Sequence, residues 1–406
     1  MSTDTLQERL LKRGVVQIEK ENDLRRLLSE GNKGQPLRIK LGVDPSHYDL
    51  TIGHAVVFRK LRQFQQMGHK AVVVIGDWTA QLGDPSGREH ARKPLSVEQV
   101  KANAATYLAQ FFKIVDPRLT EVRWQSEWFD GFTLADALKL LSYKTVAQML
   151  ERDDFAKRYK TGREISLSEL VYPLLQGYDS VMLQADIELG GTDQTFNVLV
   201  GRELQPLFGQ TSQQIMTMQL IVGLDGYMKM GKSLHNYIAL TTPASDMYGK
   251  LMSLPDHAMM SYFETLTDVS LAELDEFSRK MAEGSLNPRD VKIRLAREVV
   301  AGFHDATAAE EAEAAFIRQF SERALPTAIT EYRLSEPVDI LTLLVDAQLA
   351  RSKNEARRLI QQGGVSFYPQ GETGEMQRLI QSDFVVPVQA GAILKAGKLR
   401  YIRLIV

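Results

Sequence analysis

Polar and apolar residues alternate over Arg38–Val43, and the run stops at Asp44-Pro45-Ser46, where proline and turn-forming side chains take over. This pattern predicts a strand. From Ile52 to Met67 the apolar residues Val56, Val57, Leu61, Phe64 and Met67 recur at helical spacing, with Gly68 just past the last of them. A helix therefore follows the strand after one short loop. Ala71–Ile75 reads as a second buried strand, and the glycine-rich loop GDWTAQLGDPSGR follows it. Strand, loop, helix and strand in this order open a nucleotide-type α/β sheet. The helix N-terminus would aim backbone N–H groups and a positive dipole end at one point, which suits a phosphate, and Gly53 would permit close approach.

The same reading predicts helices over about Thr5–Ser29, Ser96–Lys113 and Thr133–Leu150, a short strand with its turn at VRWQSEW, and a helical region over about Ser245–Gln319. Residues 1–36 read as an amphipathic packing segment. Met149–Glu169 is dense in both charges and fits a solvated helical face, a subunit contact or an RNA surface.

Composition narrows the class. At 406 residues, 44% hydrophobic and 25% charged, the chain has material for two or three domains with real cores. It has no cysteine, which excludes disulfides, thiolate zinc sites and cysteine nucleophiles. No stretch approaches the roughly 20 apolar residues needed to span a bilayer, so a cytoplasmic protein with no membrane partner is the expectation. Net charge is −2, but 338–406 carries nine Lys and Arg against six Asp and Glu. A basic tail on a slightly acidic body points to an anionic partner.

Two further stretches carry chemistry. In LVYPLLQGYDSVMLQADIELGGTDQTFN, Tyr172, Gln176 and Asp179 fall four and then three residues apart, so a helix would carry a phenol, an amide and a carboxylate on one face. Pro173 fits a regular helix only in its first turn. An apolar strand, a glycine pair and Asp193 follow, and an acid beyond a strand end can accept from ribose hydroxyls. A buried tyrosine with a partner, or an aspartate capping a turn, would account for each residue alone. The other stretch, GLDGYMKMGKSLHN, sets Lys229 and Lys232 on a glycine-containing loop, where mobile point charges could follow departing phosphates, or simply be solvated.

Together these segments resemble the tyrosyl-tRNA synthetases of bacterial type, within class I of the aminoacyl-tRNA synthetases. Thr51-Ile52-Gly53-His54 is similar to the first class I signature, His-x-Gly-His, with Thr51 in place of the first histidine; Lys-Met-Gly-Lys-Ser is similar to the second. YPLLQGYD with GGTDQ resembles the tyrosine-binding motifs, and GDPSGR the loop that holds the substrate amino group. VDILTLLVDAQLARSKNEARRLIQQGGVSFY resembles a small RNA-binding module first known from a ribosomal protein.

The resemblance implies a Rossmann-like parallel-sheet catalytic domain over 37–243 with a connective insertion. A helical anticodon-region domain over 244–320, a linker over 321–337 and a small α+β RNA-binding domain over 338–406 would follow. It implies an ATP-dependent, AMP-forming tyrosine–tRNA ligase, with tyrosine, ATP and tRNA(Tyr) as partners, Mg2+ arriving with ATP, no protein-bound metal, and a homodimer. Asp84, Tyr172 and Gln176 are assigned to the substrate α-amino group, Asp179 to the phenolic hydroxyl, and Gln194 to the vicinity of the reacting carboxylate. Lys40 stands where several bacterial relatives have a tyrosine that touches the phenol. His54 and Asp193 fall on the ribose side of ATP, with Gly42, Asp44, Gly53 and Gly191 in the same nucleotide site. Ser46 and Thr51 are expected to face the β- and γ-phosphates, opposed by Lys229, Lys232 and Ser233. Arg351, Lys353, Arg357 and Arg358 are the expected RNA contacts. The alternatives are a tryptophanyl enzyme of the same fold, a non-catalytic RNA-binding protein that kept it, or a plain nucleotidyltransferase.

Overall fold

The computed structural model describes residues 6–30, 34–46, 48–83, 95–320, 329–371, 376–397 and 400–406, in two compact units, Met1–Glu310 and Glu311–Val406. The first unit is built on a sheet of β1 (Val15–Ile18), β2 (Arg38–Val43), β3 (Lys70–Ile75), β4 (Thr120–Trp124), β5 (Ile187–Gly191) and β6 (Gln214–Met218). The order is β1-β6-β5-β2-β3-β4, parallel throughout except for β1, which runs antiparallel to β6 along one edge. The chain first winds outward from β2 to β4 and then returns to β5 on the other side of β2. The strand order therefore reverses between β2 and β5, and ligands bind beyond the carboxyl ends of strands at such a point.

The N-terminal segment differs from the single helix expected. It forms α1 (Leu6–Lys12), then β1, then α2 (Glu21–Glu30). Gly14, at φ 65°, turns the chain out of α1, and the β-branched pair Val15-Val16 then favours pairing with β6.

Between and after these strands run α3 (Ile52–Gln66), α4 (Thr79–Leu82), α5 (Val97–Phe111), α6 (Ser126–Phe129), α7 (Leu134–Leu141), α8 (Val146–Met149), α9 (Asp153–Lys160), α10 (Leu167–Leu183) and α11 (Thr195–Leu207). The pattern read as one helix over 133–150 is thus α7 and α8, each started by a threonine whose hydroxyl accepts from the backbone three residues on. Pro173 lies in the second turn of α10, inside a continuous helix, and not in the first. Burial of Leu174, Leu175, Val181 and Leu183 against Val72, Val74, Val200 and Leu204 outweighs the one backbone bond it removes. Gly177 and Gly201 bring α10 and α11 close together: a Cβ on Gly177 would stand 2.9 Å from both Leu204 Cδ1 and Val200 Cγ1.

Beyond the sheet come α12 (Ala244–Met252), α13 (Met259–Leu266), α14 (Leu271–Ala282), α15 (Pro288–Phe303) and α16 (Ala306–Phe320).

The second unit is α+β. Its strands are β7 (Thr330–Arg333), β8 (Val338–Asp339), β9 (Val365–Tyr368), β10 (Gln377–Leu379), β11 (Val385–Val386), β12 (Ile393–Ala396) and β13 (Arg400–Ile405). Five pair in the order β10-β9-β12-β13-β7 and β8 pairs with β11. With α17 (Ile340–Asp346) and α18 (Lys353–Gln361) they enclose a core that includes Ile340, Leu344, Ile360, Phe367 and Leu394.

Candidate active site

A cavity of about 250 Å³ opens at the switch between β2 and β5. Of the residues singled out from sequence, Gly42, Asp44, Ser46, His54, Tyr172, Gln176, Asp179, Gly191, Asp193, Gln194 and Lys229 line it. They come from the ends of β2 and β5, the first turn of α3, the inner face of α10 and the lysine loop.

At the floor, Asp179 is 1% exposed. Gln125 Nε2 donates to its Oδ2 at 2.8 Å and Trp128 Nε1 to its Oδ1 at 3.1 Å. Burial pushes its carboxyl up to about 7; Lys40, Gln125 and Trp128 pull the other way and Glu188 adds to the rise. Each oxygen keeps a second lone pair, so the floor can still accept one O–H from a ligand.

The wall is a chain of hydrogen bonds. Tyr172 Oη donates to Asp44 Oδ2 at 2.8 Å, and Thr79 Oγ1 donates to Asp44 Oδ1 at 2.7 Å. Thr79 N donates to Gln125 Oε1 at 2.9 Å, which turns the Gln125 amide so that its nitrogen meets Asp179. Thr79, Gln125 and Trp128 were not picked out from sequence. Their one signal is position, just beyond the carboxyl ends of β3 and β4.

At the mouth, Lys229 Nζ pairs with Asp193 Oδ2, and Lys232 Nζ donates to the backbone oxygen of Asp49. Gly231 N donates to Asn236 Oδ1 at 2.9 Å, so a buried asparagine that sequence reading passed over holds the lysine loop.

Five residues stand differently from the expectation. Thr51 is buried, and its hydroxyl lies 2.9 Å from His54 Nδ1 instead of facing the cavity. Its backbone N–H also donates to Nδ1, at 3.2 Å, so the imidazole carries its hydrogen on Nε2. Gly53 does not line the cavity: Ile52 N–H is taken by Ile238 O at 2.9 Å, and a Cβ on Gly53 would sit 3.6 Å from Met230 Sδ. Lys232 and Ser233 also lie off the lining. Lys40 is 0% exposed and pairs with Glu188 beneath the cavity, so it does not reach a ligand directly. Asp84 lies outside the described residues.

The class I synthetase model described as "tRNA synthetases class I (W and Y)" matches residues 32–321. A Dehalococcoides mccartyi tyrosine–tRNA ligase is 50% identical over 396 residues, covering 97% of each chain. The chain belongs to the tyrosine–tRNA ligase family. The Thermotoga maritima ligase is 48% identical over 98% of this chain and 97% of its own. The fold is shared with a C-terminally truncated mitochondrial tyrosyl-tRNA synthetase of Aspergillus nidulans, at a TM-score of 0.63 and 22% identity, over 78% of this chain and 94% of that one. Membership in this ligase family makes ATP a substrate.

In the second unit, Arg351, Lys353, Arg357 and Arg358 are all exposed, while Ala356 and Ile360 turn inward. Ser352 caps α18, accepting from Glu355 N at 3.3 Å. Among the described residues no helix is long and apolar enough to cross a membrane.

Proposed function

We infer that this chain activates tyrosine with ATP to tyrosyl-adenylate and pyrophosphate, and then passes the tyrosyl group to the 3′ end of tRNA(Tyr). The observation that carries the reading is Asp179, a buried carboxylate at the cavity floor, held by two donors and with acceptor capacity left for a phenolic O–H. Tyr172 Oη and Gln176, higher on the same face of α10, take the α-ammonium together with Asp84. Gln194 lies beside the carboxylate.

The carboxylate of the substrate tyrosine supplies the nucleophile. Its oxygen bonds to the α-phosphorus, the bond to the bridging oxygen breaks, and pyrophosphate leaves with the electron pair. The protein therefore contributes position and charge. His54 and Asp193, with Gly42, Asp44 and Gly191, hold the adenosine side, and Ser46 faces the phosphates. Lys229 and Lys232 exchange Asp193 and Asp49 O for pyrophosphate oxygens as charge develops, with Ser233 and the Thr51-oriented His54 beside them. Magnesium travels on the phosphates of ATP.

The tRNA is held by the helical region over 244–320 and by the basic face of α18 in 338–406, tethered through 321–337. Leu134, Leu138 and Leu141 on α7 are 77%, 59% and 38% exposed, a stripe one face wide that suits a second copy in a homodimer. The cytoplasm, where tRNA is charged, is the place of action.

Amino-acid-dependent exchange of labelled pyrophosphate into ATP, run with each of the twenty amino acids and no tRNA, tests the reading. Exchange with tyrosine alone is expected. Exchange with tryptophan, or with none, would overturn it.

A further inference from the structure

Lys40 on β2 and Glu188 on β5 face each other in register across the sheet, both within 1% of complete side-chain burial. Lys40 Nζ lies 2.9 Å from Glu188 Oε1 and donates to Ser180 Oγ at 2.7 Å and to Gln176 O at 2.8 Å. Glu188 Oε2 accepts from Ser180 Oγ at 3.0 Å and from Gln213 Nε2 at 2.5 Å. A buried ion pair is seldom the most stable choice between paired strands, where two apolar side chains of similar volume do as well or better. Its presence directly beneath α10 calls for another reason.

Gln176 supplies one. Its Nε2 donates to Glu188 Oε1 at 3.3 Å, and Gln176 lines the cavity. An ionised carboxylate only accepts, so the amide can meet it only with its nitrogen. Oε1 is then the amide atom left for the cavity. An acceptor there suits an ammonium, whereas the flipped amide would present a donor to a donor. Lys40 completes the device: its ammonium holds Glu188 Oε1 in place and, through Gln176 O, fixes the backbone from which the amide hangs.

We propose that Lys40 and Glu188 are positioning residues for substrate selection, their ion pair locking the Gln176 amide with its oxygen toward the α-ammonium. The inference rests on the tyrosine reading above and adds to it how the amino group is recognised.

The test is Glu188→Gln in the full chain, read by competitive inhibition of tyrosine-dependent pyrophosphate exchange. Two inhibitors divide the substrate: tyramine keeps the ammonium and lacks the carboxylate, and 3-(4-hydroxyphenyl)propionate does the reverse. A glutamine at 188 can offer either amide atom, so the orientation of Gln176 is released. The Ki of tyramine is expected to rise about tenfold, as for one lost charge-assisted hydrogen bond, while that of the propionate holds. Equal rises for both, or none for either, would overturn the proposal and leave the pair a strut between strands. Should Lys40, left without its counter-charge, prevent folding, Lys40→Met/Glu188→Gln removes the stranded charge and is expected to show the same selective loss. An unchanged tyramine Ki in that double variant would equally overturn it. Wild type assayed alongside separates the two ideas: no exchange with tyrosine there would overturn the tyrosine reading, and this inference with it.

Discussion

Tyr172 donates its phenolic hydrogen to Asp44 Oδ2 at 2.8 Å, although 128 positions separate the two residues. The bond ties α10 to the loop after β2 across the cavity. With its hydrogen committed, Tyr172 offers a ligand only lone pairs, which fits an ammonium. Tyr172→Phe removes that acceptor and takes a donor from Asp44. The KM for tyrosine is expected to rise about 10- to 100-fold, the range for a hydrogen bond to a charged group, with a smaller rise for ATP. Exchange kinetics with each substrate varied in turn would check it; an unmoved tyrosine KM speaks against the assignment.

Asp179 predicts a pH dependence. Burial pushes its carboxyl up to about 7, and only the ionised form accepts a phenolic O–H on either oxygen. Tyrosine affinity should be greatest above about pH 8 and weaken by about tenfold per unit below 7, while phenylalanine affinity stays flat over the same window. Stability runs the opposite way: between the ordinary value of 3.8 and about 7 the folded chain holds this proton more tightly than the unfolded chain, so the contribution of Asp179 declines as pH rises. Asp179→Ala should lower kcat/KM for tyrosine far more than for phenylalanine, because a site built to bond a hydroxyl is what rejects the analogue lacking it, a rule for which tyrosyl-tRNA synthetase is itself the standing example. Equal losses for both would remove Asp179 from selection.

Periodicity carried the parts of this molecule that repeat locally. The β2–α3–β3 unit and the shared face of Tyr172, Gln176 and Asp179 are legible because each depends on spacings of two, three or four residues. Gln125, Trp128 and Glu188 were not, because their roles come from strands brought together over long separations, such as Glu188 beside Lys40. The same limit explains Thr51, whose hydroxyl is claimed by His54 three residues later, and Lys40, whose charge is met inside the sheet. β1 was missed because four residues between two helices are too short to interrupt a helical pattern, and pairing with β6 decides them.

The lysine loop rests with Lys229 on Asp193 and Lys232 on Asp49 O, so both cations are held close to the mouth before ATP arrives. On the proposed function, their work falls in the step in which pyrophosphate leaves. Lys232→Ala should therefore slow adenylate formation by about 10²- to 10³-fold, the scale of one lost transition-state donor, with little change in the Kd for tyrosine. Single-turnover measurement of adenylate formation decides it, and an unchanged rate would count against the role.

α18 belongs to the second unit, and its cations Lys353, Arg357 and Arg358, with Arg351 just before the cap, are exposed. Reversing two of them, Arg357→Glu with Arg358→Glu, should weaken tRNA binding and flatten its dependence on salt, since fewer counterions are released per complex. Pyrophosphate exchange without tRNA should hold. A variant that charges tRNA as well as wild type at 150 mM salt would assign the RNA contact elsewhere.

Arg158 fixes the start of α10, the helix that carries Tyr172, Gln176 and Asp179. Its Nη1 and Nη2 donate to Glu169 Oε1 and Oε2 at 2.6 and 3.0 Å, and Glu169 in turn accepts from Ser166 N at 2.9 Å, closing the first turn of α10. Burial alone would raise the carboxyl of Glu169, but Arg158 and the Ser166 N–H together hold it below its ordinary 4.5. A lowered folded value contributes stability above pH 4.5 and loses it as pH falls through the folded value. Arg158→Met strands the carboxylate in a nearly closed site and should cost about 3–5 kcal/mol at pH 7, the usual penalty for breaking a buried pair from one side. Arg158→Met/Glu169→Gln should recover much of that loss, because no charge is left unpaired. Thermal melts from pH 4 to 8 distinguish the cases: the single variant should gain on wild type as acid neutralises Glu169, and a melt displaced equally at every pH would mean that Arg158 acts through packing and not through charge.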